Sequence, residues 1–316
     1  MVALRPTSLQ AFIGQRAARE QIIELVDAAM DRHEMPGDIL ITGAGGLGKT
    51  SLAKLVANRL GVPLRVTMST SVRSVPSMVK ALRAVDEGMV WFLDEAHKVM
   101  PTTLLLLYSA IEDREFSVPG EADPVKLPQF TFIAATTEPG KFDESFRGRF
   151  DLTASVTYYT VDELAQIITR NAELKLREIT PEAAADLARR SRGTPREALR
   201  LLRRTIDKAG RVEVITAAHV VAAMAVQEID PLGLTDLDRR VLEAVAVHFM
   251  GTPIGIDPIV TYVGDSDAKK SISFLQRAGL LLQTKQGQVA TEAAYAHLRD
   301  LKDSQATVPA WRGDRS

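Results

Sequence analysis

Three short apolar runs, each ending in glycine or in polar residues, form the strongest pattern along the chain. They occupy residues 39–41, 89–93 and 130–135, and their length and β-branched or aromatic content predict buried strands. A weaker run at 62–68 predicts a further strand. Between the runs, apolar residues recur at helical spacing, as in the helix predicted for 17–33. Strands that alternate with amphipathic helices predict an α/β domain with a parallel sheet.

A glycine-rich loop connects the first run to the next helical segment. Residues 43–50 match G-x-x-x-x-G-K-[ST], and Leu52, Leu55 and Val56 continue at helical spacing. In this setting the glycines let backbone N–H groups surround phosphate oxygens, and the helix N-terminus adds partial positive charge. A glycine-rich turn with no ligand is the less favoured explanation. The predicted phosphate-binding residues are Gly43, Gly45, Gly46, Leu47, Gly48, Lys49, Thr50 and Ser51.

Side chains suited to phosphoryl transfer stand near the ends of these predicted strands. Lys49 is expected to reach the β- and γ-phosphates, and the Thr50 hydroxyl to bind Mg²⁺. Asp94 and Glu95 directly follow the second run; the first is expected to hold the metal and the second to orient the attacking water. Thr136, at the end of the third run, is expected to contact the γ-phosphate or that water, with the next residue as the alternative.

Composition narrows the possible functions. The chain has 316 residues, is 46% apolar and 25% charged, and carries a net charge of −1, as is usual for soluble proteins of two or three domains. Without cysteine it has no disulfide, thiolate metal site or cysteine nucleophile. No run has transmembrane length and no signal peptide is visible, so a cytoplasmic protein without membrane contact is expected. Nucleic-acid binding would depend on local basic patches.

The remaining chain predicts further domains. Residues 161–227 are helical throughout, with Thr-Pro pairs at 180–181 and 194–195 that are typical of helix starts. After a linker at 230–233, three helical segments and a glycine-centred hairpin at 280–291 predict a winged helix, which would bind DNA or, alternatively, protein. The predicted domains are a nucleotide-binding domain at 1–158, a helical lid at 159–230, a winged helix at 231–300 and a disordered tail at 301–316.

Together these motifs resemble those of the AAA+ ATPases, and specifically the RuvB family of Holliday-junction branch-migration motors. The similarity covers the Walker A and B motifs, the sensor 1 strand, the arginine-finger loop and the sensor 2 helix, at 43–50, 93–97, 130–137, 146–150 and 191–204. The resemblance implies that Arg196 is sensor 2 and that Arg149, with Arg147 as the alternate, acts on a neighbouring subunit's nucleotide. It also implies an adenine pocket; its candidate residues are Arg5, Phe12, Ile13 and Tyr159.

The resemblance further implies an ATP- and Mg²⁺-dependent ring motor, expected to be a hexamer, that acts on branched or duplex DNA in recombination and repair. An AAA+ loader or remodeller of a protein or nucleoprotein assembly is the alternative function. A third reading, a nucleotide-gated binding module that hardly hydrolyses ATP, is disfavoured by Glu95 and the finger loop.

Departures from the family pattern fall on the loop and on the partner surfaces. Ala44 and Gly45 stand where the family has prolines, although the backbone donors remain. The segment 114–129 is shorter and less apolar than the family's hairpin, on which the partner RuvA docks, so a RuvA-like partner is in doubt. The turn of the predicted wing lacks the family's arginines. The candidate DNA contacts are Lys269, Lys270, Arg277 and Lys285.

Overall fold

The structure, a computed structural model, describes residues 8–118 and 120–306, with only the backbone for 304–306. The predicted adenine-pocket residue Arg5 and the end of the tail at 307–316 therefore lie outside the described residues. The chain divides into two compact units, the first ending at Thr216 and the second beginning at Ala217. This boundary differs from the predicted domain boundaries at 158/159 and 230/231, which remain predictions.

A five-stranded parallel sheet lies at the centre of the first unit. The strands of this unit are β1 (Ile39–Thr42), β2 (Leu64–Met68), β3 (Val90–Asp94), β4 (Glu115–Phe116), β5 (Val125–Lys126), β6 (Thr131–Thr136), β7 (Leu152–Ser155), β8 (Glu178–Ile179) and β9 (Val214–Ile215). The order in the main sheet is β2-β3-β6-β1-β7. Every residue of β1 and of β6 is buried, as expected for central strands covered on both faces. The predicted α/β fold is thus confirmed, and β7 is a strand that the apolar pattern missed.

The first five helices of this unit alternate with the strands of the sheet, and the three that follow β7 form its helical part. They are α1 (Arg16–Asp31), α2 (Lys49–Leu60), α3 (Val75–Leu82), α4 (Pro101–Glu112), α5 (Glu144–Arg147), α6 (Val161–Glu173), α7 (Pro181–Arg190) and α8 (Pro195–Ala209). The starts of the last three are set by local chemistry. Thr160, Thr180 and Thr194 each accept a hydrogen bond from the backbone N–H of the third residue of the helix that follows, which satisfies a donor that the helix itself cannot use.

The register of the sheet brings the ends of three strands together. Thr42 of β1 is paired with Thr136 of β6, and Leu93 of β3 with Ala134 of β6. The loop after β1, Asp94 at the end of β3 and the end of β6 therefore meet at one edge. In open parallel sheets, ligands bind outside this carboxyl edge, so the fold itself assembles the predicted site residues that are far apart in sequence.

An aromatic cluster packs beneath the same edge and fixes the loop that follows β6. Trp91 and Phe132 lie with ring centroids 5.0 Å apart, and Phe146 and Phe150 pack edge to face at 5.2 Å. The Trp91 indole N–H donates to Thr67 Oγ1 at 2.8 Å. Since aromatic pairs of this kind stabilise beyond their buried area, the short helix α5 and the finger loop around it have a defined position on the core.

The second unit has the predicted winged-helix elements. It contains α9 (Ala217–Val226), α10 (Asp236–Glu243), a π-helical turn (Ala244–His248), α11 (Ile256–Val263), α12 (Ala268–Arg277), the antiparallel pair β10 (Leu281–Thr284) and β11 (Gly287–Ala290), and α13 (Glu292–Ala306). Leu242, Val245 and Leu275 are fully buried in its core. No helix among the described residues is long and apolar enough to cross a membrane.

One prediction about this unit is corrected. The tail predicted to be disordered from 301 is helical as far as Ala306, because α13 continues through the boundary and Leu298 anchors it in the core. The segment 230–233, predicted to be a linker, connects α9 and α10 as an ordered turn. Asp230 is buried there, accepts hydrogen bonds from Leu232 N and Leu234 N, and lies 2.8 Å from His297 Nε2.

Candidate functional site

The loop between β1 and α2 needs glycine at two positions for steric reasons. Gly43 has φ +139° and Gly48 has φ +102°, backbone conformations that other residues rarely adopt. A Cβ on Gly43 would lie 2.3 Å from the Val156 carbonyl oxygen, and one on Gly48 would lie 2.9 Å from Phe12 Cζ. The loop is therefore pressed against both neighbours, and Gly43 N donates to Thr136 O at 3.1 Å, which fixes the start of the loop on the sheet.

Lys49 extends over this loop. Its ammonium donates to the carbonyl oxygens of Gly43 at 2.8 Å and Ala44 at 3.0 Å, and the residue is 6% exposed. Burial lowers the pKa of this side chain, and the nearby carboxylates of Glu95 and Asp94 oppose that shift. The loop thus holds a cation at the place where the sequence predicts the phosphates.

The two predicted acidic residues stand opposite this cation. Asp94 ends β3, and its Oδ2 lies 3.5 Å from the Thr50 hydroxyl that donates to it. Glu95 has φ +55°, and its N–H donates to Asp94 Oδ1 at 3.0 Å. The Glu95 carboxylate lies 3.2 Å from Lys98 Nζ. A hydroxyl and a carboxylate so close together are the oxygen ligands that Mg²⁺ prefers.

The two threonines at the end of β6, which the sequence left as alternatives, contact different groups. Thr136 is fully buried, and its Oγ1 lies 3.0 Å from His97 Nδ1 and accepts from Glu138 N at 3.0 Å. The structure does not bring it to the nucleotide cleft. Thr137 is half-buried and its hydroxyl donates to Glu95 Oε2 at 3.4 Å. Because successive side chains at a strand end point in opposite directions, Thr136 faces His97 and Thr137 faces Glu95.

His97, which no site prediction included, connects these groups. Its side chain is 1% exposed, and Nε2 lies 3.1 Å from Glu138 Oε1 and 3.5 Å from Glu95 Oε2. Burial lowers the pKa of this imidazole, and the carboxylates of Glu138 and Glu95 oppose the shift. The ring therefore ties the end of β6 to the residue predicted to orient water.

A cavity of about 460 Å³ extends from the phosphate loop to the helical part of the unit. Most predicted nucleotide-binding residues line it; these are Phe12, Ile13, Gly45, Gly46, Gly48, Lys49, Thr50, Ser51, Tyr159 and Arg196. Gly43 and Leu47 are not in its lining, although Leu47 O accepts a hydrogen bond from the Tyr159 hydroxyl at 3.2 Å. Burial raises the pKa of Tyr159, so this phenol stays neutral and packs as part of the wall.

The predicted sensor 2 residue lies directly over the loop. Arg196 N donates to Gly46 O at 3.4 Å, and a Cβ on Gly46 would meet the Arg196 side chain at 3.0 Å. Seven further lining residues were missed by the sequence prediction; they are Ala11, Ile167, Arg170, Asn171, Pro195, Leu199 and Arg203. Helical spacing could have indicated some of them, since Leu199 and Arg203 follow Arg196 at i+3 and i+7.

The finger-loop arginines are not part of their own chain's cleft. Arg149 Nη2 lies 3.1 Å from Glu112 Oε2, and its guanidinium lies 4.8 Å from the centre of the Tyr108 ring. Arg147 is exposed at the end of α5. Neither arginine lines the cavity described above.

The predicted DNA contacts lie on α12 and on the turn between β10 and β11. Lys269 Nζ lies 3.0 Å from Asp257 and Lys270 Nζ lies 2.7 Å from Asp267. Arg277 packs at 5.7 Å from the ring of Phe274, on its own helix. Lys285 is exposed in the turn. Carboxylates thus offset two of the four candidate DNA-binding cations.

The parallel sheet, the phosphate loop, the carboxylates at the end of β3 and the arginine of α8 over the loop define a P-loop ATPase of the AAA+ class. The family model described as the Holliday junction DNA helicase RuvB P-loop domain matches residues 4–156, and that of the RuvB AAA lid domain matches 159–230. The chain belongs to the RuvB family.

Individual relatives agree with this assignment. The chain is 42% identical over 306 residues to the Holliday junction branch migration complex subunit RuvB of Parafrankia sp., covering 93% of this chain and 87% of that protein. It is 41% identical over 324 residues to the same subunit of Streptomyces avermitilis, covering 99% and 91%. The solved Thermotoga maritima RuvB Holliday junction branch migration motor has a TM-score of 0.84 and 36% identity, covering 94% of this chain and 98% of that one.

Proposed function

We propose that this protein is an ATP-driven motor that moves the branch point of DNA junctions in recombination and repair. The observation that carries the proposal is the convergence of Lys49, Thr50, Asp94, Glu95 and Arg196 around one cavity in a chain whose relatives are branch-migration subunits. ATP and DNA, its proposed substrates, are cytoplasmic, which supports the same location for the protein.

Each residue of the cleft has a role that follows from its position. Lys49 and the loop N–H groups bind the phosphates, and Arg196 adds positive charge beside the loop. The Thr50 hydroxyl and Asp94 carboxylate would hold Mg²⁺, which supplies charge neutralisation at the β- and γ-phosphates. Phosphate oxygens and water would complete the shell of the ion.

Glu95 is the proposed water-orienting residue. Its carboxylate is held by Lys98 and by the Thr137 hydroxyl at 3.4 Å, so its position depends on the end of β6. For this reason we assign the γ-phosphate-sensing role to Thr137 instead of Thr136. Positioning these groups would increase the rate of hydrolysis by electrostatic stabilisation and by orienting the water, since phosphoryl transfer needs little covalent help from the protein.

The active species is proposed to be a ring, most simply a hexamer, in which Arg149 completes a neighbour's site. In the single chain this arginine pairs with Glu112 and Tyr108, so assembly would have to release it. Because the pair is partly exposed, releasing it costs little, on the order of 1 kcal/mol or less.

A loader or remodeller of a protein assembly is the second candidate. It is favoured by β4 and β5, which are only two residues each, and by the carboxylates beside Lys269 and Lys270. Under this alternative the ATPase site is the same, but DNA would neither bind to α12 nor stimulate hydrolysis. Whether a RuvA-like partner docks on the short hairpin is part of the same question.

The test is ATP hydrolysis and strand exchange on a four-way DNA junction by the wild type, Glu95→Gln and Lys49→Ala. Glu95→Gln should bind ATP normally and hydrolyse it at least about a hundredfold more slowly, the size of effect seen when a positioned catalytic group is removed. Lys49→Ala should lose binding itself. The exposed Glu20→Gln change on α1 is the control. Wild-type hydrolysis by Glu95→Gln would refute the catalytic assignment, and hydrolysis that junction DNA never stimulates would favour the remodeller.

A further inference from the structure

The ring of His97 lies enclosed between the end of β6 and the carboxylate of Glu95. Its side chain is 1% exposed. On one side, Nδ1 lies 3.0 Å from Thr136 Oγ1, which also accepts from Glu138 N at 3.0 Å. On the other side, Nε2 lies 3.1 Å from Glu138 Oε1 and 3.5 Å from Glu95 Oε2. Nε2 is buried and makes no aligned hydrogen bond to either carboxylate among the described residues.

These neighbours determine which ring nitrogen carries the hydrogen. A neutral imidazole has one N–H, and its other nitrogen accepts. With the hydrogen on Nδ1, the lone pair of Nε2 would face two carboxylate oxygens. With the hydrogen on Nε2, the Thr136 hydroxyl donates to Nδ1 and still accepts from Glu138 N, as a hydroxyl can. The ring is therefore a fixed donor that is directed, through Nε2, at the two carboxylates.

The contacts of Glu95 show why this donor matters. Lys98 Nζ lies 3.2 Å from Glu95 Oε2, and the Thr137 hydroxyl donates to the same oxygen at 3.4 Å. The Lys98 side chain is 50% exposed, so water screens its ion pair, and the Thr137 contact is long. His97 approaches the same oxygen from the protein interior. All three donors thus act on Oε2, which leaves Oε1 for the attacking water.

We propose that His97 is a positioning residue for ATP hydrolysis, in which its Nε2–H binds Glu95 Oε2 so that Oε1 orients the attacking water. The inference rests on the proposed function, because it assigns the water to Glu95. A carboxylate shift of about 0.5 Å brings Nε2 and Oε2 to hydrogen-bond length. The hydroxyl of Thr136 holds the ring in the required direction, and Glu138 competes for the same N–H.

The experiment measures kcat and KM for ATP in the wild type, His97→Asn and His97→Gln. Glutamine can place its amide N–H group where Nε2 lies, whereas asparagine is one methylene shorter and reaches only as far as Nδ1. His97→Asn should lower kcat roughly tenfold or more, the usual effect of losing a hydrogen bond to a charged group. Its KM should stay within about twofold, because the phosphate loop is unchanged. His97→Gln should recover most of the lost kcat.

A double-mutant cycle separates positioning from packing. If His97 acts through Glu95, adding His97→Asn to Glu95→Gln should cost little further activity, since residues that act as a unit are not additive. A packing defect would instead add its full loss to that of Glu95→Gln. Single-turnover hydrolysis measures the slow variants.

Glu138→Ala is the matched control, because Glu138 is the other carboxylate that faces the ring. Its side chain is 49% exposed and pairs with Lys141 at 2.9 Å. Removing it leaves the N–H of His97 to Glu95, so kcat should not fall. A loss as large as that of His97→Asn would show that the ring serves Glu138 and would overturn the inference.

Other results would also overturn it. These are full activity of His97→Asn, equal losses in the two His97 variants, and a fully additive cycle with Glu95→Gln. Should the variants not fold, nitrogen-15 NMR of the histidine-labelled wild type tests the same point, because a neutral His97 ring with its hydrogen on Nδ1 cannot donate to Glu95. If Glu95→Gln still stalls hydrolysis, the proposed function survives such results. If the wild type does not hydrolyse ATP, the proposed function itself fails.

Discussion

Replacing Asp38 by asparagine should remove a specific part of the pH dependence of stability. Asp38 precedes β1, is 2% exposed, and accepts from Phe132 N at 2.7 Å and from Arg114 Nη2 at 2.9 Å. Burial raises the pKa of this carboxyl from 3.8 to about 6, and the guanidinium of Arg114 only partly opposes the shift. The same aspartate that anchors the base of the β4–β5 hairpin is therefore costly to ionise.

The sign and size follow from linkage. The pKa of Asp38 is higher in the folded protein than in the unfolded chain, so the folded state binds more protons between these two values. Its contribution is fully present below pH 3.8 and is lost as the pH rises through about 6. The whole effect is about 3 kcal/mol, at about 1.4 kcal/mol per pH unit of difference, and about 1 kcal/mol of it falls between pH 5 and 7.

The assay is urea unfolding of wild type and Asp38→Asn at pH 5, 6 and 7, followed by the fluorescence of Trp91, in a Trp311→Phe background so that only one tryptophan reports. The free energy of unfolding of the variant relative to the wild type should rise by about 1 kcal/mol over this range. The readout is the slope, since the absolute stability also includes the loss of the counter-charge for Arg114. Replacing the exposed Asp123 by asparagine is the control. A difference between wild type and variant that is the same at all three pH values would refute the reasoning.

Three other predictions concern the cleft and the winged helix. Gly48→Ala should weaken ATP binding at least about tenfold, because the added Cβ would meet Phe12. Gly61→Ala is the control, since Gly61 has the same sign of φ but open space around it, and it should cost only about 1 kcal/mol of stability. Calorimetry measures the ATP affinity of both variants, and urea unfolding measures their stability. Arg149→Ala mixed with Lys49→Ala should recover part of the ATPase activity that each lacks alone, and a concentration-independent turnover per chain would contradict a shared site. The triple alanine variant of Lys269, Lys270 and Lys285 tests the winged helix. Three free cations would change the slope of log DNA affinity against log salt concentration by roughly three units. The change should be smaller here, because carboxylates already offset two of the three lysines.

Local chemistry explains why much of the site could be predicted from the sequence. The loop glycines, Lys49 and Thr50 follow one another along the chain, and their conformations are set by near neighbours. The apolar run before Asp94 and Glu95 was enough to predict that both residues lie at the end of a buried strand. The start of α6 follows from a local cap, in which the Thr160 side chain accepts a hydrogen bond from the N–H of Glu163, three residues later. Features of this kind can be predicted without knowing the order of the strands in the sheet.

The tertiary structure decided the contacts between distant segments. The order β2-β3-β6-β1-β7 is not encoded in any local pattern, and it determines that Thr137 instead of Thr136 faces Glu95. It also places Arg114 against Asp38, a pair 76 residues apart. Asn171 looked like one more polar residue on a helix, and only the packing of α6 beside the loop places it in the cavity wall.

The physical reason for this division is the range of the interactions. Capping, backbone conformation and strand content depend on atoms a few residues apart, so the sequence alone determined the ATPase motifs and the type of most of the larger elements, although not β7 or α13. Which buried group remains unpaired, and which arginine is held by Glu112 instead of facing solvent, depends on desolvation and on partners brought from elsewhere in the chain. Those properties exist only in the folded protein.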